Sequence, residues 1–236
     1  MNVEIVRARL ADFVDLSRFR SALSADERAR AAAYKIEEAR DVFILARGLL
    51  RLELSKRLGL DPSEIRFDIR PSGKPDVRAD PPSRPDWRFS VSHSGSHVAI
   101  AFARGVDIGV DIERLGRRLN PLEIAKRYFT PTELEALQGC AEEARVRAFF
   151  AGWTRKEAIV KARGHTMAQS LTTLSVDLNP EATHPGYQDA PSVPERPVCR
   201  LIAFEFKAES LIGAVAIQAS ATPRLRIDVL SATAFD

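Results

Sequence analysis

A glutamate and a lysine one helical turn apart are the first residues of this chain whose types and spacing could do chemistry. Glu157 lies four residues after Trp153, on the apolar face of a predicted helix that also carries Phe149 and Val160. A carboxylate turned toward packed aromatic rings is unfavourable unless a cation meets it. Lys161 could be that cation, and so could a metal ion. The alternative is an exposed i, i+4 ion pair between Glu157 and Lys161, which contributes little to stability.

Two further carboxylates lie close together in the segment Gly-Val-Asp-Ile-Glu at 109–113. The alternation of apolar and polar residues predicts a strand with Asp111 and Glu113 on one face. Acids at positions i and i+2 can present oxygens to one hard cation such as Mg²⁺. The alternative is a half-exposed strand with a solvated polar face, but if the helix face that bears Glu157 packs against it, the three acids form one metal site. The residues expected on the core side are Val106, Ile108, Val110 and Ile112, and the polar side also carries Asp107 and Gly109.

Three motifs in the first half of the chain could bind phosphate. The segment Pro-Ser-Gly-Lys-Pro at 71–75 predicts a rigid turn that presents Lys74. Ser92 and His93 lie at a predicted strand end or hairpin tip, and Arg47 lies on a long helix. Each has a simpler alternative: a solvated loop lysine, a locally hydrogen-bonded serine and histidine, and a solvated helix arginine.

A weak internal repeat with an offset of roughly 106–117 residues organises the elements that must position these side chains. Ser24 with Glu27, and Thr130 with Glu133, have the spacing of a capping box at a helix start. A long amphipathic helix follows each, over about 38–58 and about 143–163. In each half a strand, a proline-rich loop and a hairpin come next. The strands are at 64–69 and 173–178, the loops at 71–85 and 180–197, and the hairpins at 88–103 and 200–219.

These matches predict an α+β fold of two similar halves related by a pseudo-twofold axis, with the active site in the cleft between them. We divide the chain into an N-terminal half at 1–105, expected to carry the phosphate contacts, and a C-terminal half at 106–236, expected to carry the acids. Two halves that bury their shared surface against each other also predict a monomer. Clefts between such units are preferred places for ligands.

Composition narrows the function classes. The chain has 236 residues, is 45% hydrophobic and 28% charged, and carries a net charge of +3. Lysine and arginine are interspersed with acids, so we expect no nucleic-acid partner. Cys140 and Cys199 fit neither a disulfide framework nor a zinc site. Without a signal-peptide pattern or an apolar run near the ~20 residues that span a bilayer, we expect a cytoplasmic protein with no membrane partner.

Taken in order, the strings Gly-Lys-Pro, Ser-Val-Ser-His-Ser-Gly, Gly-Val-Asp-Ile-Glu and Trp-Thr-Arg-Lys-Glu-Ala-Ile-Val-Lys resemble the 4′-phosphopantetheinyl transferases. The chain looks like the larger, surfactin-synthetase-activating type, in which two similar halves form one chain, and the resemblance covers roughly residues 20–220. Such enzymes move the phosphopantetheine arm of coenzyme A onto a serine of an acyl or peptidyl carrier protein and release 3′,5′-ADP. The resemblance therefore implies coenzyme A as substrate, Mg²⁺ as cofactor and a carrier protein as partner.

The resemblance also implies roles for single residues. Asp111, Glu113 and Glu157 would hold Mg²⁺, Glu157 would help deprotonate the carrier serine, and Lys161 would steady the developing charge. The residues implied to contact coenzyme A are Arg47, Lys74, Ser92 and His93, with Arg40 as a weaker candidate.

The chain departs from the family pattern at two places. Residues 162–167 read Ala-Arg-Gly-His-Thr-Met where a second glycine and often a lysine are expected. In the family this segment borders the carrier-binding side, so the resemblance does not imply which carrier is used. Glu27 stands where some relatives carry a phosphate-binding lysine, leaving Arg28 or Arg30 as substitutes. Two other functions stay open, a metal-dependent nucleotide phosphodiesterase and a non-catalytic module that binds coenzyme A or a carrier.

Overall fold

The computed structural model describes residues 2–78, 86–116, 119–165, 171–192, 197–219 and 223–230. The six α-helices of this part are α1 (Ser17–Ser21), α2 (Ala25–Ala32), α3 (Glu37–Leu58), α4 (Pro121–Tyr128), α5 (Pro131–Gly139) and α6 (Glu142–Arg163). The strands of its N-terminal half are β1 (Asn2–Arg9), β2 (Phe67–Ile69), β3 (Pro75–Val77), β4 (Trp87–Ser94) and β5 (His97–Arg104). Those that follow are β6 (Ile108–Arg114), β7 (Leu174–Val176), β8 (Tyr187–Asp189), β9 (Cys199–Phe206), β10 (Leu211–Gln218) and β11 (Arg224–Leu230).

The predicted repeat of elements is confirmed. Strand β1, helix α3 and the β4–β5 hairpin recur as β6, α6 and the β9–β10 hairpin, and the two sheets have the equivalent orders β1-β5-β4 and β6-β10-β9. Both predicted capping boxes are present, at the starts of α2 and α5. Each long helix has 22 residues and ends at a left-handed glycine, Gly59 or Gly164, as C-terminal caps commonly do.

A buried ion pair is also duplicated between the halves. The capping-box acid Glu27 accepts from Arg51 of α3 at 2.5 Å, and the matching acid Glu133 accepts from Lys156 of α6. Each cation also donates to backbone carbonyls of the segment after its helix, Arg51 to Ile65 at 3.0 Å and Lys156 to Leu174 at 2.6 Å. One acid thus fixes the short helix, the long helix and the following loop in each half.

The two halves stack as four layers, helix, sheet, sheet and helix, and a separate hydrophobic core lies between each layer and the next. One core joins α3 to the β11-β1-β5-β4 sheet, a second joins α6 to the β6-β10-β9 sheet, and a third lies between the two sheets. Ile108, Val110 and Ile112 are buried in the third core, as the alternation in the sequence predicts.

Strand β11 crosses back to the other half. It pairs in parallel with β1, from Asn2 opposite Arg224 to Ala8 opposite Leu230. The first sheet therefore includes a strand from the end of the chain. The division of the chain at residue 105 stays a prediction. Strand β11 follows that residue in sequence but lies in the sheet of the N-terminal half.

Two predicted strands are shorter than their sequence pattern indicates. The segment 64–69 begins within a 3-10 helix at Pro62–Glu64, and only Phe67–Ile69 is strand. Likewise, 173–178 begins in a 3-10 helix at Leu171–Thr173, with strand at Leu174–Val176. Polar–apolar alternation also occurs in 3-10 helices, so it overstates the length of these two strands.

Among the described helices, none has the length and apolar character that crossing a membrane requires.

Candidate active site

Contact between the backbones of β6 and α6 creates the site. A Cβ added to Gly109 would lie 2.0 Å from the carbonyl oxygen of Ala158 and 2.5 Å from the amide nitrogen of Ala162. Glycine permits this approach because it has no side chain. As a result β6 is buried on both faces, and the half-exposed strand considered from the sequence does not occur.

Asp111 and Glu157 meet at Lys161, as the packing of the helix face on the strand requires. The Lys161 Nζ donates to the Asp111 Oδ1 at 2.7 Å and lies 3.4 Å from the Glu157 Oε2. Asp111 is 4% exposed and Glu157 is 9% exposed, so neither is a solvated surface acid. The alternative of an exposed Glu157–Lys161 pair is therefore wrong.

The cluster changes the proton affinity of its members. Burial and the neighbouring Asp111 carboxylate raise the pKa of Glu157 to about 8, while Lys161 opposes the shift. Burial acts to lower the pKa of Lys161, but the Asp111 and Glu157 carboxylates outweigh it and raise that pKa above its usual value. Two buried acids and one lysine leave excess negative charge, which either a proton or a further cation can neutralise.

Several observations fit a hard cation at this position. The Asp111 Oδ2 is buried and has no hydrogen-bond partner among the described residues. Carboxylate oxygens are the ligands that Mg²⁺ prefers. The three acids do not converge as the sequence predicts, because no group of three or more His, Cys, Asp or Glu side chains in the described ranges could hold a metal ion together. Glu113 lies on the same strand face as Asp111, where its Oε2 accepts from Ser94 at 2.6 Å.

Three serines of β4 connect the halves beside the acids. The hydroxyls of Ser90, Ser92 and Ser94 accept from the backbone amides of Val110, Ile112 and Arg114 of β6, at 3.1, 3.3 and 3.0 Å. We call these three residues the serine ladder. Ser92 also donates to the Asp111 Oδ1 at 2.8 Å. The acids of one half are thus held by hydroxyls of the other.

A cavity of about 890 Å³ opens next to this cluster. Helix α3, the 71–75 turn and β4 form most of its wall, and the end of α6 closes one side. Lys161 lines the cavity and contacts Asp111 and Glu157, so the acid pair lies one side chain from the cavity. Apolar lining residues include Val42, Phe43, Ala46, Ile69 and Phe89.

Arg47, Lys74 and His93, which the resemblance implies as contacts of coenzyme A, all line the cavity. Arg47 donates to Glu27 at 2.7 Å, and its guanidinium lies 4.6 Å from the centre of the Phe67 ring. Burial lowers the pKa of Arg47, with Glu27 opposing the shift. Glu27 therefore orients an arginine at the cavity. His93 is exposed and lines the cavity, as does Arg30.

Lys74 lines the cavity but also holds two backbone carbonyls. Its Nζ donates to the carbonyl oxygens of Ile108 at 2.7 Å and Lys161 at 3.0 Å. Burial lowers its pKa to about 8. The 71–75 turn thereby connects β6 to the last turn of α6, which carries Lys161.

The remaining predicted residues have different surroundings. Ser92 is buried against Asp111, whereas its neighbour His93 points to the cavity side of β4, so their roles as a pair of coenzyme contacts stay a prediction. Arg40 pairs with Glu37 and Asp41 on the surface of α3. Arg28 donates to the carbonyl of Leu23. Of the departure at 162–167, Thr166 and Met167 lie outside the described residues.

Sequence reasoning placed Ser94 in a possible phosphate-binding motif and Gly109 on the polar strand face, but it predicted neither the contact of Ser94 with Glu113 nor the contact of Gly109 with α6. The period-two spacing of small hydroxyls in Ser90-Val-Ser-His-Ser94 is a signal that could have identified Ser94, since alternate residues share a strand face. A glycine inside a strand pattern signals a close backbone approach, which is what Gly109 provides.

Known proteins are similar to this chain in sequence. Residues 12–104 match the family described as 4′-phosphopantetheinyl transferase, N-terminal, and residues 107–193 match the 4′-phosphopantetheinyl transferase superfamily. The chain is 36% identical to the 4′-phosphopantetheinyl transferase HetI of Nostoc over 67% of this chain and 66% of that protein, just under two thirds of its length. Its identity to the 4′-phosphopantetheinyl transferase Sfp of Bacillus subtilis is 34% over 69% of each chain.

A crystal structure of a holo-(acyl-carrier-protein) synthase from Bacillus anthracis in complex with CoA (3′,5′-ADP) covers 49% of this chain and 98% of its own, with a TM-score of 0.39 and 21% identity. The two family matches and the Bacillus subtilis relative confirm the resemblance drawn from the motifs. The chain therefore belongs to the 4′-phosphopantetheinyl transferase family, of the Sfp type.

Proposed function

We propose that this protein transfers the 4′-phosphopantetheine arm of coenzyme A to a serine of an apo acyl or peptidyl carrier protein and releases 3′,5′-ADP. One observation carries the proposal: Lys161 lines a cavity between the halves and contacts both Asp111 and Glu157. An acid pair that can accept a proton is thus separated from a cavity with basic residues by one side chain, that of Lys161.

The cavity suits a nucleotide that carries several phosphates. Its volume of about 890 Å³ lies within the range of small-molecule sites. Apolar side chains of α3 offer a surface for a flat base, and Arg30, Arg47, Lys74 and His93 offer donors to phosphate oxygens. Because Lys74 already donates to two carbonyls, its ammonium group has one N–H left for a phosphate.

Glu157 is the proposed base. In the transfer, the serine oxygen forms a bond to the phosphorus that carries pantetheine, and the bond from that phosphorus to the bridging oxygen breaks. The serine proton passes to Glu157, directly or through water, and 3′,5′-ADP leaves with the bridging oxygen. A base works best when its pKa is near the working pH, and in the metal-free protein burial and Asp111 raise the pKa of Glu157 toward that range.

Lys161 and the acids supply the electrostatics. Phosphoryl transfer depends mainly on positioning and charge neutralisation, and the Lys161 ammonium offsets negative charge at the edge of the cavity. Asp111 and Glu157, with Glu113 beside Asp111 on β6, would hold Mg²⁺, which when bound neutralises charge on the diphosphate.

Mass spectrometry of intact carrier proteins tests the proposal. The protein is incubated with coenzyme A and MgCl₂ and with apo carriers of fatty acid, polyketide and nonribosomal peptide synthesis. We expect at least one carrier to gain the mass of one phosphopantetheine, with one 3′,5′-ADP released per carrier. Cleavage of coenzyme A without carrier modification would instead indicate a phosphodiesterase. Binding of coenzyme A with neither product would indicate a binding module.

The setting of the reaction is part of the same proposal. We place it in the cytoplasm, because both cysteines are free and coenzyme A is an intracellular metabolite. The protein acts as a monomer in this account, since each half already buries a sheet face against the other.

A further inference from the structure

The serine ladder differs from an ordinary strand pairing. Strands β4 and β6 belong to different sheets, and side-chain hydroxyls of β4 take the place of carbonyl acceptors for the amides of β6. A serine hydroxyl can accept two hydrogen bonds and donate one. Each ladder serine therefore still has a proton to donate after it accepts from β6.

Two of the three serines give that proton to an acid of the site. Ser92 donates to the Asp111 Oδ1 at 2.8 Å, and Ser94 donates to the Glu113 Oε2 at 2.6 Å. Among the described residues, Ser90 makes no hydrogen bond to an acidic side chain. Ser92 and Ser94 are both buried, so water does not readily replace these bonds.

The hydrogen bonds to Asp111 occupy one of its two carboxylate oxygens. Ser92 and Lys161 both donate to the Asp111 Oδ1, whereas the buried Oδ2 receives no hydrogen bond from a donor in the described part of the chain. The Glu157 carboxyl lies beside the same group. The Asp111 carboxylate is therefore held in one orientation with one oxygen available. Ser94 holds one oxygen of Glu113.

We propose that Ser92 and Ser94 are positioning residues that orient Asp111 and Glu113 toward the cation, so that the N-terminal half sets the geometry of the acids in the C-terminal half. The inference rests on the proposed function, because the cation belongs to it. It assigns Ser92 to the acids rather than to coenzyme A.

Three matched substitutions test the inference, Ser90→Ala, Ser92→Ala and Ser94→Ala. All three remove one hydroxyl that accepts from β6, but only the last two remove a bond to an acid. Mg²⁺ alone is titrated calorimetrically into the metal-free full-length variants, and their melting temperatures are measured in metal-free buffer. Loss of a partner to a metal-binding carboxylate typically weakens metal affinity by about 10–100-fold. We expect that loss for Ser92→Ala and Ser94→Ala, little change in affinity for Ser90→Ala, and similar falls in melting temperature for all three.

Threonine provides the rescue, because Ser92→Thr and Ser94→Thr keep the hydroxyl and should regain most of the Mg²⁺ affinity. If Ser92→Ala does not fold, Ser92→Cys replaces it, since a thiol keeps the volume but donates weakly. Equal Mg²⁺ affinities for all three alanine variants would overturn the inference and leave the ladder as a structural connection. Wild-type protein that binds no Mg²⁺ would overturn both the inference and the metal dependence. Wild-type protein that binds Mg²⁺ but modifies no carrier would overturn the proposed function alone.

Discussion

Gly109 and Ala158 are in backbone contact: a Cβ on Gly109 would lie 2.0 Å from the carbonyl oxygen of Ala158. This contact sets the distance between β6 and α6, and hence between the acid on the strand and the acid on the helix. The chemistry proposed for Asp111 and Glu157 depends on a residue that has no functional group.

Substitution of Gly109 by alanine should therefore affect both the fold and the site. The added methyl group has to push α6 away from β6, and overpacking of this kind typically costs about 1–3 kcal/mol. We expect a lower melting temperature together with a loss of carrier modification. Gly139→Ala at the end of α5 is the matched control, because nothing lies within 4 Å of the added Cβ. Equal melting temperatures for Gly109→Ala and the control would contradict the contact.

Substitutions of Lys74 and His93 should differ in their effects on coenzyme A binding and on the free energy of unfolding. From the sequence, both are expected to matter more for coenzyme A than for the fold, but Lys74 also donates to the carbonyls of Ile108 and Lys161. Lys74→Ala leaves those carbonyls without their donor, so we expect a loss of about 2 kcal/mol in the free energy of unfolding as well as weaker coenzyme binding. His93→Ala should weaken binding only. Urea unfolding and calorimetric titration with coenzyme A measure the two effects, and an unchanged unfolding free energy for Lys74→Ala would show that these bonds contribute little.

The pH dependence of stability should report the proton on Glu157. Its pKa is raised from an ordinary 4.5 to about 8, so the folded state holds a proton that the unfolded state has lost. The stabilisation from this proton is complete below about pH 4.5 and is lost as the pH rises through 8. Metal-free wild type should accordingly lose melting temperature between these values, and Glu157→Gln should lose less. Parallel curves for the two proteins would place the titration elsewhere.

The chain should be a monomer in solution. The apolar faces of the two sheets are already covered by each other in the third core, which includes Ile5, Ala101, Val110 and Val215. Light scattering at micromolar concentration is the check, and an obligate dimer or trimer would show that another surface needs a partner.

Local sequence patterns were enough for the repeated elements. The spacing of Ser24 with Glu27, and of Thr130 with Glu133, predicts two helix starts that the structure contains. Hairpins at 88–103 and 200–219 are also present, because alternation and turns are short-range signals. These features depend on residues a few positions apart, which is what a single sequence records well.

Long-range relationships were harder to predict. The parallel pairing of β11 with β1 joins the two ends of the described chain, and no local pattern specifies it. Glu157 is recognisable because its charge conflicts with its apolar neighbours, and Asp111 and Glu113 because they share one strand face. Ser92, which the resemblance assigns to coenzyme A, is instead buried against Asp111. Lys74 shows the same limit, since its two carbonyl partners lie on β6 and α6. A side chain that donates to a backbone carbonyl far away in the sequence produces no recognisable pattern in the residues around it.

The rate of phosphopantetheine transfer by Glu157→Gln tests the central claim most directly. The substitution keeps the shape of the side chain but removes its charge and its ability to accept the serine proton. Loss of a general base typically lowers turnover by about 10²-fold or more. Glu143→Gln, on the exposed first turn of the same helix, is the control and should transfer at the wild-type rate. With coenzyme A, MgCl₂ and a carrier that the wild type modifies, we predict that fall for Glu157→Gln in a protein that remains folded, whereas transfer at a near wild-type rate would contradict the assignment of Glu157 as the base.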